Sequence, residues 1–176
     1  VAIPNSEEQI CDVLKICEKF KVPLVTRGAG TGLSGGATPV ENCIILSTAK
    51  LNKFISIDEN QRIARVQPGV KNITISEKAE PYNLFYAPDP SSQIACSIGG
   101  NVAENSGGVH CLKYGLTLNN IFRLRAVNYK GEVFEVGLES FDSPGFDILA
   151  LLVGSEGMLA VITEISVKLL PKPSFA

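Results

Sequence analysis

The residues with the clearest capacity for chemistry lie between Val22 and Ala37. A short apolar run, Val22 to Val25, leads through Thr26 and Arg27 into a loop with five glycines between Gly28 and Gly36. A buried strand running into closely spaced glycines delivers a row of bare backbone N–H groups to one point. Such a concavity binds anions, because glycine lacks the Cβ that blocks close approach and it tolerates φ > 0. The alternative is a flexible surface turn, but a turn needs one or two glycines and this loop keeps five beside an arginine. The loop reads as a diphosphate cradle.

Two nucleotide motifs fail on it. A P-loop needs a lysine after its last glycine, and Gly35 is followed by Gly36-Ala37. A dinucleotide fingerprint matches formally at Gly30-Thr31-Gly32-Leu33-Ser34-Gly35. Its glycines must open a helix, however, and only Ala37 to Asn42, with Pro39 inside, precede the next apolar run. No acidic residue follows that run to hold a ribose hydroxyl. What is left is a diphosphate held by a loop rather than by a helix end.

A second glycine-bearing stretch runs from Cys96 to Gly108 and contains Ser97, Ile98, Gly99, Gly100, Asn101, Ser106 and Gly107. Its spacing predicts a short helix entered at Ser97 and ended at Gly107. Two glycines in the first turn weaken that helix by about 1 kcal/mol each relative to alanine. The weakness makes sense if another group must approach the backbone: either a ligand or a neighbouring protein element.

Other elements have to position these stretches. Ser6 and Gln9 form a capping box, and Ile10, Val13, Leu14, Cys17 and Phe20 follow at helical spacing, which predicts a helix over 7–20. With Ile3-Pro4 before it and Val22–Val25 after it, the unit reads as strand–helix–strand with a right-handed parallel crossover. Cys43 to Ser47 is another short buried strand. Alternating runs around Asp58-Glu59-Asn60-Gln61 predict a hairpin closed by Pro68-Gly69, and 71–80 predict a helix stopped by Pro81. Pro88-Asp89-Pro90 reads as a rigid turn. Ile121–Tyr129 and Glu132–Val136 flank a tight turn at Lys130-Gly131. Phe146–Val153 reads as an apolar helix broken by Gly154-Ser155-Glu156-Gly157, and Leu159–Leu170 as a long strand ending at Pro171. The pattern is α+β: a small parallel α/β lobe over about 1–50, then an antiparallel sheet with helices over about 51–176.

Composition sets the outer bounds. The 176 residues are 45% hydrophobic and 19% charged, with a net charge of -2, which fits a globular domain and excludes a broad nucleic-acid footprint. No apolar run reaches the 18 residues of a membrane span. Cysteines at 11, 17, 43, 96 and 111 are odd in number and lack Cys-x-x-Cys, so they read as buried free thiols in a reducing compartment. No His/Asp/Glu cluster has metal-ligand spacing. The lack of an initiator Met and the abrupt end at Phe175-Ala176 read as a piece of a longer chain.

Taken together, Arg27 to Ala37, Pro88-Asp89-Pro90, Ile98 to Asn101, Asn105 to Gly108 and Gly154 to Gly157 resemble the FAD-binding domain of the vanillyl-alcohol oxidase (PCMH) type. The runs Tyr86–Ser97, Val109–Gly115 and Asp142–Asp147 are more closely similar to the family of FAD-linked glycolate oxidase D subunits. The resemblance covers essentially the whole chain. It implies two lobes with FAD between them, residues 28–32 wrapping the pyrophosphate and Ser97–Gly108 lying along the flavin and ribityl side. It places Glu156-Gly157 with Val161-Ile162 near the cofactor. Arg27, Leu33, Ser34, Pro88, Asp89 and Tyr114 join the implied cofactor contacts. On the residues alone, Arg27 faces phosphate or braces the loop, and Tyr114 approaches the flavin or sits in the core or rim.

Ala29 and Ala160 stand where relatives often have glycine, which a methyl tolerates at negative φ. Thr31 stands where some relatives attach flavin through histidine, which implies noncovalent FAD; His110-Cys111, past the second stretch, read as a packed or solvent-facing pair. The implied activity is oxidation of a small 2-hydroxy acid, glycolate to glyoxylate or, alternatively, D-lactate. Hydride goes to flavin, and electrons pass to a second flavin-domain subunit and an iron–sulfur subunit. A third reading is a flavin-binding module without turnover. The implied location is cytoplasmic, with attachment to the inner face of the membrane through partners. Substrate, catalytic and metal residues belong in the family to a C-terminal substrate domain, so no catalytic residue is assigned here, and Arg123 and Arg125 read as a solvated strand face.

Overall fold

A computed structural model describes residues 1–138 and 145–173. The first part of the family-like run at Asp142–Asp147, and the chain end at Phe175-Ala176, lie outside the described residues.

Helix α1, Glu7–Phe20, starts where Ser6 Oγ accepts from Gln9 N at 3.3 Å. Gln9 Oε1 reaches back to Asn5 N at 2.9 Å, one residue before the partner of a standard capping box. Lys21, at φ 54, ends the helix by donating to the carbonyls of Cys17 and Glu18. Ile10, Leu14 and Cys17 are buried as the spacing predicts, and Cys11 with them; Val13 is half-buried, and Phe20 is 65% exposed, with the Lys19 ammonium over its ring.

Strands β1, Leu24–Arg27, and β2, Ile44–Ser47, pair in parallel from Leu24↔Ile44 to Arg27↔Ser47. The connection between them, 28–43, is the glycine loop and contains no helix. The expected strand at Ile3-Pro4 is reduced to a single parallel bridge, Ala2 to Leu46. It pairs with β2 rather than β1.

A five-stranded antiparallel sheet follows, in the order β3-β4-β8-β6-β7. Strands β3, Phe54–Asp58, and β4, Ile63–Val66, form the expected hairpin. Helix α2, Asn72–Ala79, runs into a 3-10 turn at Glu80–Tyr82, where Pro81 stops it, and β5, Leu84–Phe85, follows. The turn expected at 88–90 comes later: Gln93 N donates to Pro90 O, and both Ala95 N and Cys96 N donate to Ser92 O.

Helix α3, Ile98–Glu104, begins at Ser97 as expected but ends at Asn105 rather than Gly107. Asparagine tolerates the left-handed conformation that the cap needs, here φ 48. Helix α4 is Cys111–Tyr114; β6, Ile121–Val127, and β7, Val133–Gly137, form the second hairpin. Helix α5 is only Ile148–Leu152, capped by Asp147, and Phe146 stays exposed outside it. The last strand divides into β8, Val161–Lys168, and β9, Leu170–Pro171, which turns away to pair with β5.

The larger core packs α2, α3 and α5 against the sheet around Val66, Ile75, Tyr86, Ile98, Leu124 and Ile165. A second cluster joins Ile10, Cys11 and Leu14 of α1 to Leu46, Leu51, Val127 and Val161, so the parallel unit and the antiparallel sheet share apolar packing. Arg123 and Arg125 do not form a merely solvated face. Arg125 binds both Glu7 carboxylate oxygens, at 2.8 and 2.9 Å, and Glu135 at 2.9 Å; Arg123 binds Glu135 at 2.6 Å. These pairs tie α1 to β6 and β7. All five cysteines are free thiols; Cys11, Cys17 and Cys96 are buried, and Cys43 and Cys111 half-buried.

Candidate functional site

The two glycine stretches meet. A Cβ built on Gly28 would lie 2.5 Å from Ser97 Oγ, so the start of the loop rests directly on the N-cap of α3. Ser97 Oγ also accepts from Gly100 N at 3.4 Å, which holds the cap in place beneath the loop. Gly30, at φ +71, turns the loop in a conformation that favours glycine, and the Arg27 guanidinium folds over it, within 2.5 Å of where a Cβ would stand. Ala29 and Ala160 are both at negative φ, which a methyl accepts.

Three clefts open around this junction. The first, the cradle, is bounded by Gly28, Ala29, Gly30, Thr31 and Gly32 on one side and by Ser97, Gly100, Asn101 and Ser106 on the other, with Glu104 and Glu156 in its walls. A second continues past Gly28 between Gly99, Gly100, Gly157, Ala160 and Ile162. A third, of about 510 Å³, leaves the cradle at Gly28, Ala29 and Ser97 and is bounded by Asn52, Phe54, Lys71, Thr74 and Lys78.

The two first-turn glycines of α3 have different neighbours. A Cβ on Gly99 would lie 2.6 Å from Pro68 Cβ, whereas one on Gly100 would meet only Ser97 Oγ, at 3.3 Å. Gly99 therefore answers to protein packing although it borders the second cleft, while Gly100 lines both the second cleft and the cradle.

Several expected residues sit beside the clefts rather than in them. Leu33 is wholly exposed, and Ser34 Oγ donates to Glu104 Oε2 at 2.6 Å, clipping the outer end of the loop to the end of α3. Ile98 and Val161 are core residues, and Gly107 lies against Leu116. Pro88 O accepts from Asn72 Nδ2 at 3.1 Å. Asp89 accepts from the His110 backbone N–H at 3.2 Å and contacts the His110 ring at 2.6 Å through Nδ1; His110 is solvent-facing, one of the two expected alternatives, with its ring held by Asp89. The Tyr114 ring lies edge-on to Phe85, with Lys113 over its face.

An amide relay underpins the cradle floor. Buried Asn72 donates to Asn101 Oδ1 at 2.9 Å, and Asn101 Nδ2 donates to Ser106 Oγ and Cys96 Sγ, both at 3.4 Å. Thr26 is a residue that sequence reasoning missed. It is the penultimate residue of β1 and lines both the cradle and the second cleft, and its Oγ1 is buried without a hydrogen-bond partner among the described residues. Glu104, Ser92, Cys96 and Pro68 were missed as well. Cys96 and Glu104 lie within the second glycine stretch and Ser92 shortly before it, places that say nothing of side-chain direction, and Pro68 lies beside neither stretch. Among the described residues no group of three His, Cys, Asp or Glu could hold a metal ion, and no helix is long and apolar enough to cross a membrane.

The chain is 57% identical over all 176 residues to glycolate oxidase subunit GlcD of Escherichia coli (strain K12). It is 42% identical over 174 residues, 98% of this chain, to the GlcD of Bacillus subtilis (strain 168). With a D-lactate dehydrogenase of Archaeoglobus fulgidus it shares 39% over 173 residues, also 98% of this chain. The chain spans only 35%, 37% and 39% of those three proteins. Among solved structures, an alkyldihydroxyacetonephosphate synthase superposes on 98% of this chain and 34% of its own, with a TM-score of 0.85 at 25% identity. The model of the FAD binding domain family matches residues 1–137, more than three quarters of the sequence, and with the glycine cradle and the α+β frame this places the chain in that family.

Proposed function

We propose that this chain is the cofactor-holding part of an FAD-dependent enzyme that oxidises glycolate to glyoxylate and hands the electrons to partner subunits. The observation that carries the reading is the 57% identity, across the whole chain, with a glycolate oxidase subunit. The residues fit the cofactor. Thr26 lines the cradle and the second cleft, both of which Gly28 and Gly100 also line, and its Oγ1 is a buried hydroxyl with no hydrogen-bond partner among the described residues.

FAD, when bound, supplies the acceptor for the hydride from the substrate α-carbon. In this reading the N–H groups of residues 28–32 hold the diphosphate, and Ser97, Gly100, Asn101 and Ser106 line the flavin side. Glu156, Gly157 and Ile162 close the far end. The loop clip from Ser34 to Glu104 orients the cradle, and the Asn72–Asn101 relay fixes its floor. The cation for the substrate carboxylate and the base for its hydroxyl proton come from outside these residues. With Thr31 at the loop, FAD is held noncovalently. The parallel unit to about residue 50 and the remainder act as two lobes around it. Partners are a second flavin-domain subunit and an iron–sulfur subunit, in the cytoplasm and attached through them to the membrane's inner face.

The second reading, oxidation of D-lactate, is favoured by the 39% identity to a D-lactate dehydrogenase. The test incubates the full chain with FAD, isolates it by gel filtration, and follows anaerobic bleaching of the flavin absorbance. Bleaching by glycolate ahead of D-lactate is expected, with the flavin in the supernatant after acid precipitation. The reverse order selects the second reading, bound flavin that neither acid bleaches leaves a binding module, and colour in the acid pellet refutes noncovalent attachment. Failure to retain FAD overturns all three.

A further inference from the structure

Two of the clefts that share Gly28 and Ser97 carry opposite charge. The cradle has Glu104 and Glu156 in its lining, while the third cleft is lined by Lys71 and Lys78 and by no acidic residue. Lys71, the extended N-cap residue of α2, and Thr74 and Lys78 within the helix all line that cleft. The Lys71 backbone forms an antiparallel bridge with Ser97, which fixes it against the N-cap of α3. Among the described residues, neither Lys71 nor Lys78 makes an ion pair, although Lys21, Lys172 and Arg125 do.

Lysines without an ion-pair partner lining a concave wall raise the local potential and attract oxyanions, whereas carboxylates repel them and accept hydrogen bonds from sugar hydroxyls. A dinucleotide carries both chemistries: two negative charges on its diphosphate, and hydroxyls on its ribityl chain and ribose. Where the cradle meets the third cleft, the glycine loop is at its narrowest side-chain cover, Gly28 and Ala29. A phosphate there lies between bare backbone and the two lysines.

We propose that the Lys71–Lys78 cleft is the oxyanion half of the cofactor site. Its two ammonium groups neutralise the FAD diphosphate where the loop opens at Gly28 and Ala29, and Glu104 and Glu156 take the hydroxyl-bearing segments. The proposal rests on the FAD reading above and adds residues that neither glycine stretch contains.

The test is made in the full chain with Lys71→Met, Lys78→Met, the double variant and the matching arginine variants. Flavin fluorescence titrations give Kd for FAD and for riboflavin, which lacks phosphate, at low and high salt. Both lysines are exposed, so melting temperatures should match the unaltered protein. The double methionine variant is expected to bind FAD about tenfold or more weakly at low salt, with a flattened salt dependence, and the arginine pair to restore affinity. Riboflavin affinity should stay where it was. Unchanged FAD affinity in the double variant overturns the proposal while leaving the FAD reading intact, and so does an equal loss for riboflavin, which would mark a shape effect. An unaltered chain that binds no FAD overturns both.

Discussion

Thr26 carries the most specific consequence at the scale of single residues. A buried hydroxyl without a partner costs about 1–3 kcal/mol of desolvation in the free protein, and that cost is recovered only if a ligand meets it. Thr26→Val keeps the shape and removes the hydroxyl. The FAD-free protein is expected to melt at the same temperature or higher, while FAD binds about fivefold to tenfold more weakly, as one hydrogen bond of about 1 kcal/mol implies. Calorimetry without cofactor and a flavin titration read the two effects separately; lower stability with unchanged affinity would show that the hydroxyl serves the fold. Glu156, a non-glycine residue at φ 53 in the wall of the same cleft, is a second place where the backbone accepts an uncommon conformation beside the site.

At the scale of elements, α3 separates two effects of glycine that composition alone merges. Helix propensity says that Gly99→Ala should stabilise by about 1 kcal/mol. The packing says otherwise, since the new methyl would lie 2.6 Å from Pro68 Cβ and 3.0 Å from Pro68 O, the carbonyl that accepts from Gly99 N. Overpacking against a fixed proline turn costs about 1–3 kcal/mol, so Gly99→Ala should be destabilising in urea unfolding. Gly100→Ala, with only Ser97 Oγ at 3.3 Å, should leave stability nearly unchanged. Equal behaviour of the two variants would contradict this division.

The same helix marks what could be read in the chain itself. Its start at Ser97 and the start of α1 at Ser6 are local hydrogen-bond patterns within three residues, and both were legible. The loop–helix encounter of Gly28 with Ser97 spans nearly 70 positions, and no spacing rule links them. Pro68 looked like the end of a hairpin and turned out also to be the wall against Gly99. Long-range polar partners were hidden for the same reason. Arg125 alternates on its strand as a solvent-facing residue would, and only folding brings Glu7, 118 positions away, to its guanidinium.

At the scale of the whole molecule, that guanidinium is the polar counterpart of the apolar cluster joining α1 to the sheet. Glu7 accepts from Arg125 twice and from Thr163 Oγ1 at 2.6 Å. The Arg125 hydrogen bonds hold the Glu7 carboxyl below its ordinary value of 4.5, against the opposing effect of burial. A carboxyl whose pKa is depressed in the folded state contributes stability that is fully present above its unfolded pKa and is lost as pH falls through the folded one. Glu7→Gln should therefore be less stable than the unaltered protein at pH 7, by about 1–2 kcal/mol. The gap should close as pH drops below the ordinary glutamate range. Urea midpoints measured from pH 7 to pH 3 check the sign; a gap that widens in acid would refute it.

The position of β8 has a consequence for how the molecule is made. It is the central strand of five, between β4 and β6, yet it spans Val161–Lys168, almost the last residues described. During synthesis the β3–β4 and β6–β7 hairpins can each close soon after they leave the ribosome. Nothing joins them until β8 emerges, some 25 residues after the second hairpin by the bounds of β7 and β8. Through that interval the inner edges of β4 and β6 are open to other chains, and these two hairpins are most exposed to misassembly just before β8 closes the sheet between them.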